Sequence, residues 1–251
     1  MTLQEFFKEN PKCALAFSGG TDSSYLLWAA RHYGADVTAY YAHTVFQPEF
    51  ELEDAKRLAE ETGAKLRLLE LDPLSSEDVR RNDARRCYYC KNAIFSNILR
   101  TAHADGYTCI IDGTNASDDA GDRPGMQALR EMGVRSPLRE CGITKAQVRE
   151  GSRRAGLFTA DKPAYACLAT RIPTGEAITA EALGRIDQAE TALRALGLRD
   201  FRLRKRGRGV LLQATEAQFP LVMERRAELH ALLAPFFEEI SLDLKPRTPS
   251  L

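Results

Sequence analysis

The segment that most constrains this chain runs from Ala14 to Ser24 and reads ALAFSGGTDSS. An apolar run ends at Ser18, two glycines follow, and helix-like apolar spacing resumes at Leu26 and Leu27. This order predicts a buried strand, a tight glycine turn and a helix. Successive backbone N–H groups and a helix N-terminus then converge on one point, an arrangement that binds anions such as phosphate.

The residue types of this turn suit a nucleotide phosphate. Gly19 and Gly20 permit the turn and a close approach of phosphate to the backbone. Asp22 would repel a bare phosphate, so we predict that it helps to hold Mg²⁺. No lysine follows the glycines, which excludes a Walker A loop. The alternative is an ordinary glycine turn before a helix. In the phosphate-binding interpretation, three hydroxyls add to the backbone donors: those of Ser18, Ser23 and Ser24.

Strand and helix patterns alternate over the first part of the chain. Strands are predicted over 12–18, 37–42, 65–71 and 107–111, with helices between them. This alternation predicts an α/β fold with a parallel sheet and helices on both faces, and ligands bind at the carboxyl ends of such strands. The fourth strand ends in a second loop at that edge. Its predicted ligand-binding residues are Asp112, Gly113 and Thr114.

A second, smaller α/β part follows an irregular stretch over 159–178. The pattern predicts a helix from Thr179 to Leu196, strands near 200–205 and 209–214, a helix over 216–233 and a last strand near 237–243. We therefore predict two domains: a nucleotide domain over 1–165 and a smaller C-terminal α/β domain over 166–251.

Composition narrows the function classes. The 251 residues carry 35 basic and 35 acidic side chains, so no global field favours nucleic acid or membrane. There is no signal-peptide pattern and no apolar run of about 18 residues. Six cysteines without a secretion signal indicate a reducing compartment, and we expect a cytoplasmic protein. The cysteines are then metal ligands, catalytic thiols or core residues.

The pair Cys87-x-x-Cys90 is the second strong signal. It lies in a basic segment that opens a predicted helix, and both features favour the thiolate form. Such a pair is a redox pair, half of a zinc site or chance, and the lack of a second pair argues against a Cys₄ zinc site. Cys167, four residues before Arg171, is a third candidate. Three thiolates could hold a [4Fe–4S] cluster with one iron open; the alternative is two structural thiols and one unrelated thiol.

The other cysteines and a basic stretch complete the candidates. Cys13 and Cys109 lie in apolar strand patterns and are predicted core residues, while Cys141 is undetermined. In the predicted strand near 200–205, Arg202 and Arg204 share one face, which suits phosphate or carboxylate recognition or is simply a solvated face. A second predicted anion site contains Arg123.

Taken together, five segments resemble the LarE family, PP-loop sulfur transferases of nickel-pincer nucleotide biosynthesis. The first segment alone resembles the PP-loop of ATP pyrophosphatases, the adenine nucleotide alpha hydrolase-like fold. The resemblance covers nearly the whole chain, and the cysteine segments make it specific. The five segments are 18–23, 86–91, 112–115, 122–125 and 167–173.

The resemblance implies an ATP- and Mg²⁺-dependent enzyme. It would adenylate a carboxylate of a pyridinium biscarboxylate mononucleotide and then replace AMP with sulfur, giving a thiocarboxylate. Arg202 and Arg204 would hold the substrate phosphate, and Arg171 and Arg123 would also contact ligand. The C-terminal domain over 166–251 would be the one that handles substrate and sulfur transfer. One form of the family sacrifices a cysteine at the position of Cys167; the other carries a [4Fe–4S] cluster on three cysteines. We expect the cluster form, with Cys87, Cys90 and Cys167 as ligands, a sulfide donor as partner, and a homo-oligomer.

Three other readings stay open at this point. A PP-loop tRNA thiolase would want a wide basic surface, which the balanced charge argues against. A non-catalytic nucleotide sensor would release no pyrophosphate. An amide-forming ligase would need an ammonia source.

Sacrificial members of the family are expected to have a second metal site made of acidic residues. In this sequence only Glu190 matches that pattern, and Gln213 and Gln218 stand where acids are expected, which argues against such a site.

Overall fold

The computed structural model describes residues 1–118 and 124–248 and resolves the chain into two compact units. The first unit comprises Met1–Pro73 and Arg85–Lys162, and the second comprises Leu74–Ala84 and the chain from Pro163 onward. The division into domains at residue 165 stays a prediction, because compactness alone does not show that either part folds independently.

The first unit is built on a four-stranded sheet in the order β3-β2-β1-β4, in which every pair is parallel. The expected α/β fold class is therefore confirmed. The strands are β1 (Lys12–Phe17), β2 (Asp36–His43), β3 (Lys65–Glu70) and β4 (Cys109–Asp112). The helices of this unit are α1 (Leu3–Glu9), α2 (Thr21–His32), α3 (Glu49–Thr62), α5 (Arg86–Ala104), α6 (Pro124–Glu131), α7 (Pro137–Glu140) and α8 (Lys145–Arg154).

Apolar residues of β1 explain why this sheet forms around it. Leu15 is fully buried and Phe17 nearly so, and Leu26 and Leu27 of α2 join the same core cluster. The register of β1 with β4 pairs Cys13 with Cys109 and Ala16 with Asp112. The carboxyl ends of the two strands therefore lie side by side, as expected from the strand pattern.

The second unit contains a three-stranded mixed sheet. Strands β5 (Arg202–Arg206) and β6 (Gly209–Gln213) are antiparallel, and β7 (Ile240–Leu242) runs parallel to β6. Asn82, at φ +52°, donates from its amide to the carbonyls of Pro173 and Glu176, which ties 74–84 into this unit. Its helices are α4 (Glu77–Arg80), α9 (Ala180–Ala195), α10 (Phe219–Glu224) and α11 (Arg226–Leu233).

The single helix expected over 216–233 is wrong. The segment is a 3₁₀ turn at Glu216–Gln218, then α10, then α11, with Arg225 at φ −97° and ψ 17° between the two helices. Pro220 explains the first interruption, because proline lacks an N–H and is tolerated only in the first turn of a helix. Nothing in the sequence explains the break at Arg225.

The longest helix in the described ranges is α5, with 19 residues. It carries polar and charged side chains such as Lys91 and Arg100 along its length. Among the residues placed by the structure, no helix combines the length and the apolar character needed to cross a bilayer.

Two glycines provide a matched test of these helices. Gly184 lies inside α9 with open space around its Cα, whereas Gly63 ends α3 at φ +63° with equally open space. We expect Gly184→Ala to raise the unfolding free energy by about 0.5–1 kcal/mol. Gly63→Ala should lower it by about 1–2 kcal/mol, because a left-handed backbone strains any residue with a Cβ. Urea unfolding measures both, and equal signs would contradict the assignment.

Candidate active site

The Ser18–Ser24 turn has the conformation that the sequence predicts. Gly19 adopts φ +69°, and Gly20 is the N-cap of α2, so the helix begins directly after the glycines. The hydroxyls of Ser18 and Ser23 are hydrogen-bonded at 3.1 Å, and the Gly20 N–H donates to Ser18 Oγ at 3.4 Å. Ser24 Oγ is fully buried, and no partner for it lies among the described residues. The conformation of the loop is thus held by its own hydroxyls.

The second loop packs directly against the first. A Cβ on Gly113 would lie 2.8 Å from the Ser23 backbone nitrogen, so only glycine fits without a backbone shift. Asp112 accepts hydrogen bonds from Ser136 Oγ at 2.7 Å and from Thr114 Oγ1 at 2.6 Å. The carboxylate is therefore held rigidly beside the N-terminus of α2.

A cavity of about 280 Å³ opens between these two loops. Its wall combines backbone and hydroxyl donors from one loop with the carboxylate of the other, and Lys91 and Phe95 of α5 close one side. Seven predicted nucleotide-binding residues line it: Ser18, Gly20, Asp22, Ser23, Asp112, Gly113 and Thr114.

Three lysines from other segments of the chain lie around the Ser18–Ser24 loop, which itself contains no lysine. Lys91 lines the cavity. Lys145, the first residue of α8, pairs with Asp22 Oδ2 at 2.7 Å. Lys162 donates to the Gly19 carbonyl at 3.2 Å and pairs with Asp54 at 2.7 Å. Sequence reasoning missed all three; only Lys91 left a signal, since it directly follows Cys90.

Asp22 is already engaged by protein groups. Lys145 contacts one carboxylate oxygen, and the Asn115 amide donates to the other at 3.3 Å. A Mg²⁺ ion at Asp22 would have to displace Lys145 or share the carboxylate with it. The metal-binding role of Asp22 therefore stays a prediction.

The cysteine pair opens α5, as its basic surroundings suggest. Cys87 is exposed and Cys90 is buried. Lys91 follows Cys87 by four positions on this helix, so the two side chains are neighbours on one face. Burial lowers the pKa of the Lys91 ammonium, an effect opposed by Asp112 and by the Cys87 thiol. One ammonium thus lies beside the cavity carboxylate and the thiol pair.

The second unit has its own charged centre, built around Glu190 of α9. This fully buried carboxylate accepts from Arg171 Nε at 2.8 Å and from Arg171 Nη2 at 3.1 Å. It also accepts from the Tyr165 hydroxyl at 2.5 Å, Arg194 at 3.2 Å and the Leu203 N–H at 2.9 Å. Burial raises the Glu190 pKa, but the hydrogen bonds and charge of Arg171, together with the hydrogen bonds from Tyr165 and Leu203, outweigh burial, and the net shift is downward. With its lone pairs so occupied, Glu190 is a structural ion-pair partner in this fold.

Three guanidinium groups hold the loop that carries Cys167. Arg202 donates to the Ala164 carbonyl at 2.6 Å and Arg171 to the Ala166 carbonyl at 3.0 Å. Arg204 donates to the Thr170 carbonyl at 2.7 Å. Cys167 is partly exposed at the start of the 3₁₀ turn Leu168–Arg171. The thiol is therefore positioned by main-chain contacts on both sides.

Positive charge exceeds negative charge at this centre. Burial, together with the charges of Arg171 and Arg247, lowers the pKa of Arg202 to about 10. In the described part of this unit the carboxylates that offset these charges are Glu190 and Asp200. An anion bound here would relieve the repulsion. The guanidiniums involved are those of Arg171, Arg194, Arg202, Arg204 and Arg247.

The structure groups the predicted residues by unit. The nucleotide residues and the pair Cys87–Cys90 lie in the first unit, whereas Cys167, Arg171, Arg202 and Arg204 lie in the second. Within each unit, the described side chains form no group of three or more His, Cys, Asp or Glu placed to hold a metal ion. Arg123 lies outside the described residues.

The parallel sheet and the glycine turn at its carboxyl edge place the first unit in the class of PP-loop α/β domains. No protein-family model matches the chain. It is 32% identical over 97% of its length to the pyridinium-3,5-bisthiocarboxylic acid mononucleotide synthase of Lactiplantibacillus plantarum, covering 89% of that protein.

Two uncharacterised proteins are also similar. One, from Synechocystis, is 39% identical over 80% of this chain and 76% of its own length. The other, from Methanocaldococcus jannaschii, is 29% identical over 80% of this chain and 78% of its own. With the near full-length match to the synthase, the chain belongs to the LarE family and is an enzyme.

The Glu190 centre generates a stability prediction. Glu190→Gln leaves Arg171 buried without its charge partner, so we expect a loss of about 3–5 kcal/mol in unfolding free energy. The exposed pair Glu181–Arg185 on the same helix is the control, and Glu181→Gln should change stability by less than about 1 kcal/mol.

The Glu190 ion pair should also make stability depend on pH. Because the pKa of Glu190 is depressed in the folded state, its contribution is present above the ordinary glutamate pKa of 4.5 and is lost on further acidification. Urea unfolding at neutral and acid pH measures both; similar losses in the two variants would refute the role.

Proposed function

We propose that this enzyme converts carboxylates of a pyridinium biscarboxylate mononucleotide into thiocarboxylates, using ATP. The proposal rests on family membership and on one observation: Lys91 borders the loop cavity and neighbours the Cys87 thiol. The Lys91 ammonium thus lies next to both the proposed phosphate-binding cavity and the Cys87 thiol. A reaction that activates its substrate with a nucleotide and then transfers sulfur needs these two functions close together.

The first step is adenylation. A substrate carboxylate oxygen attacks the α-phosphorus of ATP, and the bond to the bridging oxygen breaks as pyrophosphate leaves. The N–H groups of the Ser18–Ser24 loop, the helix N-terminus and Lys91 stabilise the departing negative charge. Mg²⁺ enters with ATP as part of the substrate. Asp22 lines this site, and its ion pair with Lys145 holds the carboxylate in position.

The second step replaces AMP with sulfur. A sulfur nucleophile attacks the acyl carbon, the carbon–oxygen bond to AMP breaks, and a thiocarboxylate results. The guanidiniums of Arg202 and Arg204 are proposed to bind the substrate phosphate, in keeping with the excess of positive charge at their centre. Arg171 holds the Ala166 carbonyl and so orients the neighbouring Cys167.

The sulfur source has two candidates that differ in chemistry. We propose that Cys87, Cys90 and Cys167 are the ligands of a [4Fe–4S] cluster, because thiolates are the ligands that such clusters take. Cys87 and Cys90 lie in one turn of α5. Such a cluster, when bound, supplies an open iron that can carry the sulfur to be transferred. Alternatively, Cys167 attacks the acyl carbon itself; loss of its α-proton then breaks the Cβ–S bond and leaves dehydroalanine. We favour the cluster because all three thiols are present.

Nucleotide use is tested at Lys91. Lys91→Met should weaken ATP binding about 10- to 100-fold, because it removes a charge-assisted contact worth about 1.5–3 kcal/mol. Lys56→Met, on an exposed lysine paired with Glu53, is the matched control and should bind normally. Calorimetry measures binding, and pyrophosphate release with the acceptor present measures adenylation. Unchanged ATP affinity in Lys91→Met would remove Lys91 from the site, and no pyrophosphate release from the unaltered enzyme would overturn the function.

The sulfur source is tested by anaerobic iron and sulfide analysis together with intact-protein mass spectrometry. For the cluster we expect Cys87→Ser, Cys90→Ser and Cys167→Ser each to lose iron, with Cys141→Ser as the control that keeps it. Cys167 should be intact after turnover with added sulfide. Dehydroalanine at position 167, with activity unaffected by Cys87→Ser, would decide for the sacrificial route.

A further inference from the structure

Two cysteines that the proposed chemistry does not use lie directly opposite each other. Cys13 of β1 and Cys109 of β4 are register partners in the parallel pair of strands, and each thiol affects the pKa of the other. Cys13 Sγ also lies 3.1 Å from the Asn10 carbonyl oxygen. The sequence predicted both as separate core residues, and it is the strand order that makes them a pair.

The strand geometry suits a covalent link between them. Register partners on parallel strands point to the same face of the sheet, and neighbouring strands are about 4.8 Å apart. That spacing falls within the range of about 4.4–6.8 Å between Cα atoms that a disulfide spans. The two sulfurs can therefore join after a small movement of their side chains.

The two thiols differ in environment, as an attacking and a resolving thiol do. Cys13 is fully buried, whereas Cys109 is partly exposed. The neighbouring Cys13 thiol lowers the pKa of Cys109, and the Arg135 guanidinium adds to this against the effects of burial and of Glu140. Arg135 is fixed by Glu140 and by a 3.2 Å bond to Asn10 Oδ1. Cys109 is thus the thiol that an oxidant reaches first.

We propose that Cys109 and Cys13 form a modification site for hydroperoxides, at which a reversible disulfide links β1 to β4. The Cys109 thiolate attacks one peroxide oxygen; the O–O bond breaks, giving a sulfenic acid and, after protonation, water. The Cys13 sulfur then attacks the Cys109 sulfur, the S–S bond forms and the S–O bond breaks. The departing hydroxide takes up the Cys13 proton. Two thiols thereby reduce one hydrogen peroxide to two waters.

The position of this link relates it to the cavity. Cys13 and Cys109 lie three residues before Ala16 and Asp112, which are also register partners and after which the two ligand-binding loops begin. Oxidation would join, with a covalent bond, the two strands that carry those loops. The site is independent of the sulfur that the enzyme transfers, so it stands or fails apart from the proposed function.

The test treats the full-length reduced protein with hydrogen peroxide, blocks remaining thiols by alkylation and maps tryptic peptides by mass spectrometry. The peptides 13–31 and 101–130 each contain one cysteine. We expect them to appear as one linked species that dithiothreitol separates. Cys141 is the internal control, because it packs against the same core and burial raises its pKa. It should stay reduced at peroxide doses that link the pair.

Two variants sharpen the result. In Cys13→Ser, Cys109 should be trapped as a sulfenic acid by dimedone; in Cys109→Ser, Cys13 should stay reduced because it is buried. The proposal is overturned if peptides 13–31 and 101–130 never link. It is equally overturned if Cys109 reacts no faster than Cys141, or if Cys109 pairs with a different cysteine.

Discussion

The pairing of β4 with β1 determines where chemistry can take place in the first unit. In this register Ala16 lies beside Asp112, so both loops leave the sheet at the same edge. The contact is so close that a Cβ on Gly113 would collide with the backbone of Ser23. Glycine at this position is what lets the carboxylates and hydroxyls of both loops share one small cavity with the N-terminus of α2.

How much of this follows from the sequence depends on the range of the interaction. The glycine turn, α2 and the parallel sheet are encoded locally, by apolar period and by turn residues, and they form as predicted. The lysines around the loop could not be predicted, since Lys145 and Lys162 reach it only after more than a hundred residues of chain have folded back. The burial of Arg202 could not be predicted either. The strand pattern places Arg202 and Arg204 on one face of β5, but it does not indicate that Arg202 is covered by the rest of the unit.

The balanced composition hides a strong local separation of charge. On the surface of α3, the opposite charges within the pairs Lys56–Glu53 and Arg57–Glu61 neutralise each other. Around Glu190 the arginines outnumber the carboxylates, and the buried ion pair keeps that excess in place. A chain without net charge can therefore concentrate positive charge at one point without attracting polyanions over its whole surface.

The side chains of Tyr165 and Arg171 anchor the loop around Cys167 to Glu190. Three arginines also hold this loop through the carbonyls of Ala164, Ala166 and Thr170. Every residue type supplies a carbonyl, so these contacts do not depend on what stands at position 167. Mutation can then exchange the thiol for another side chain while the loop keeps its shape. Loss of sulfur chemistry in a Cys167 variant would then report on the missing thiol itself, because the backbone that presents residue 167 is held from outside that side chain.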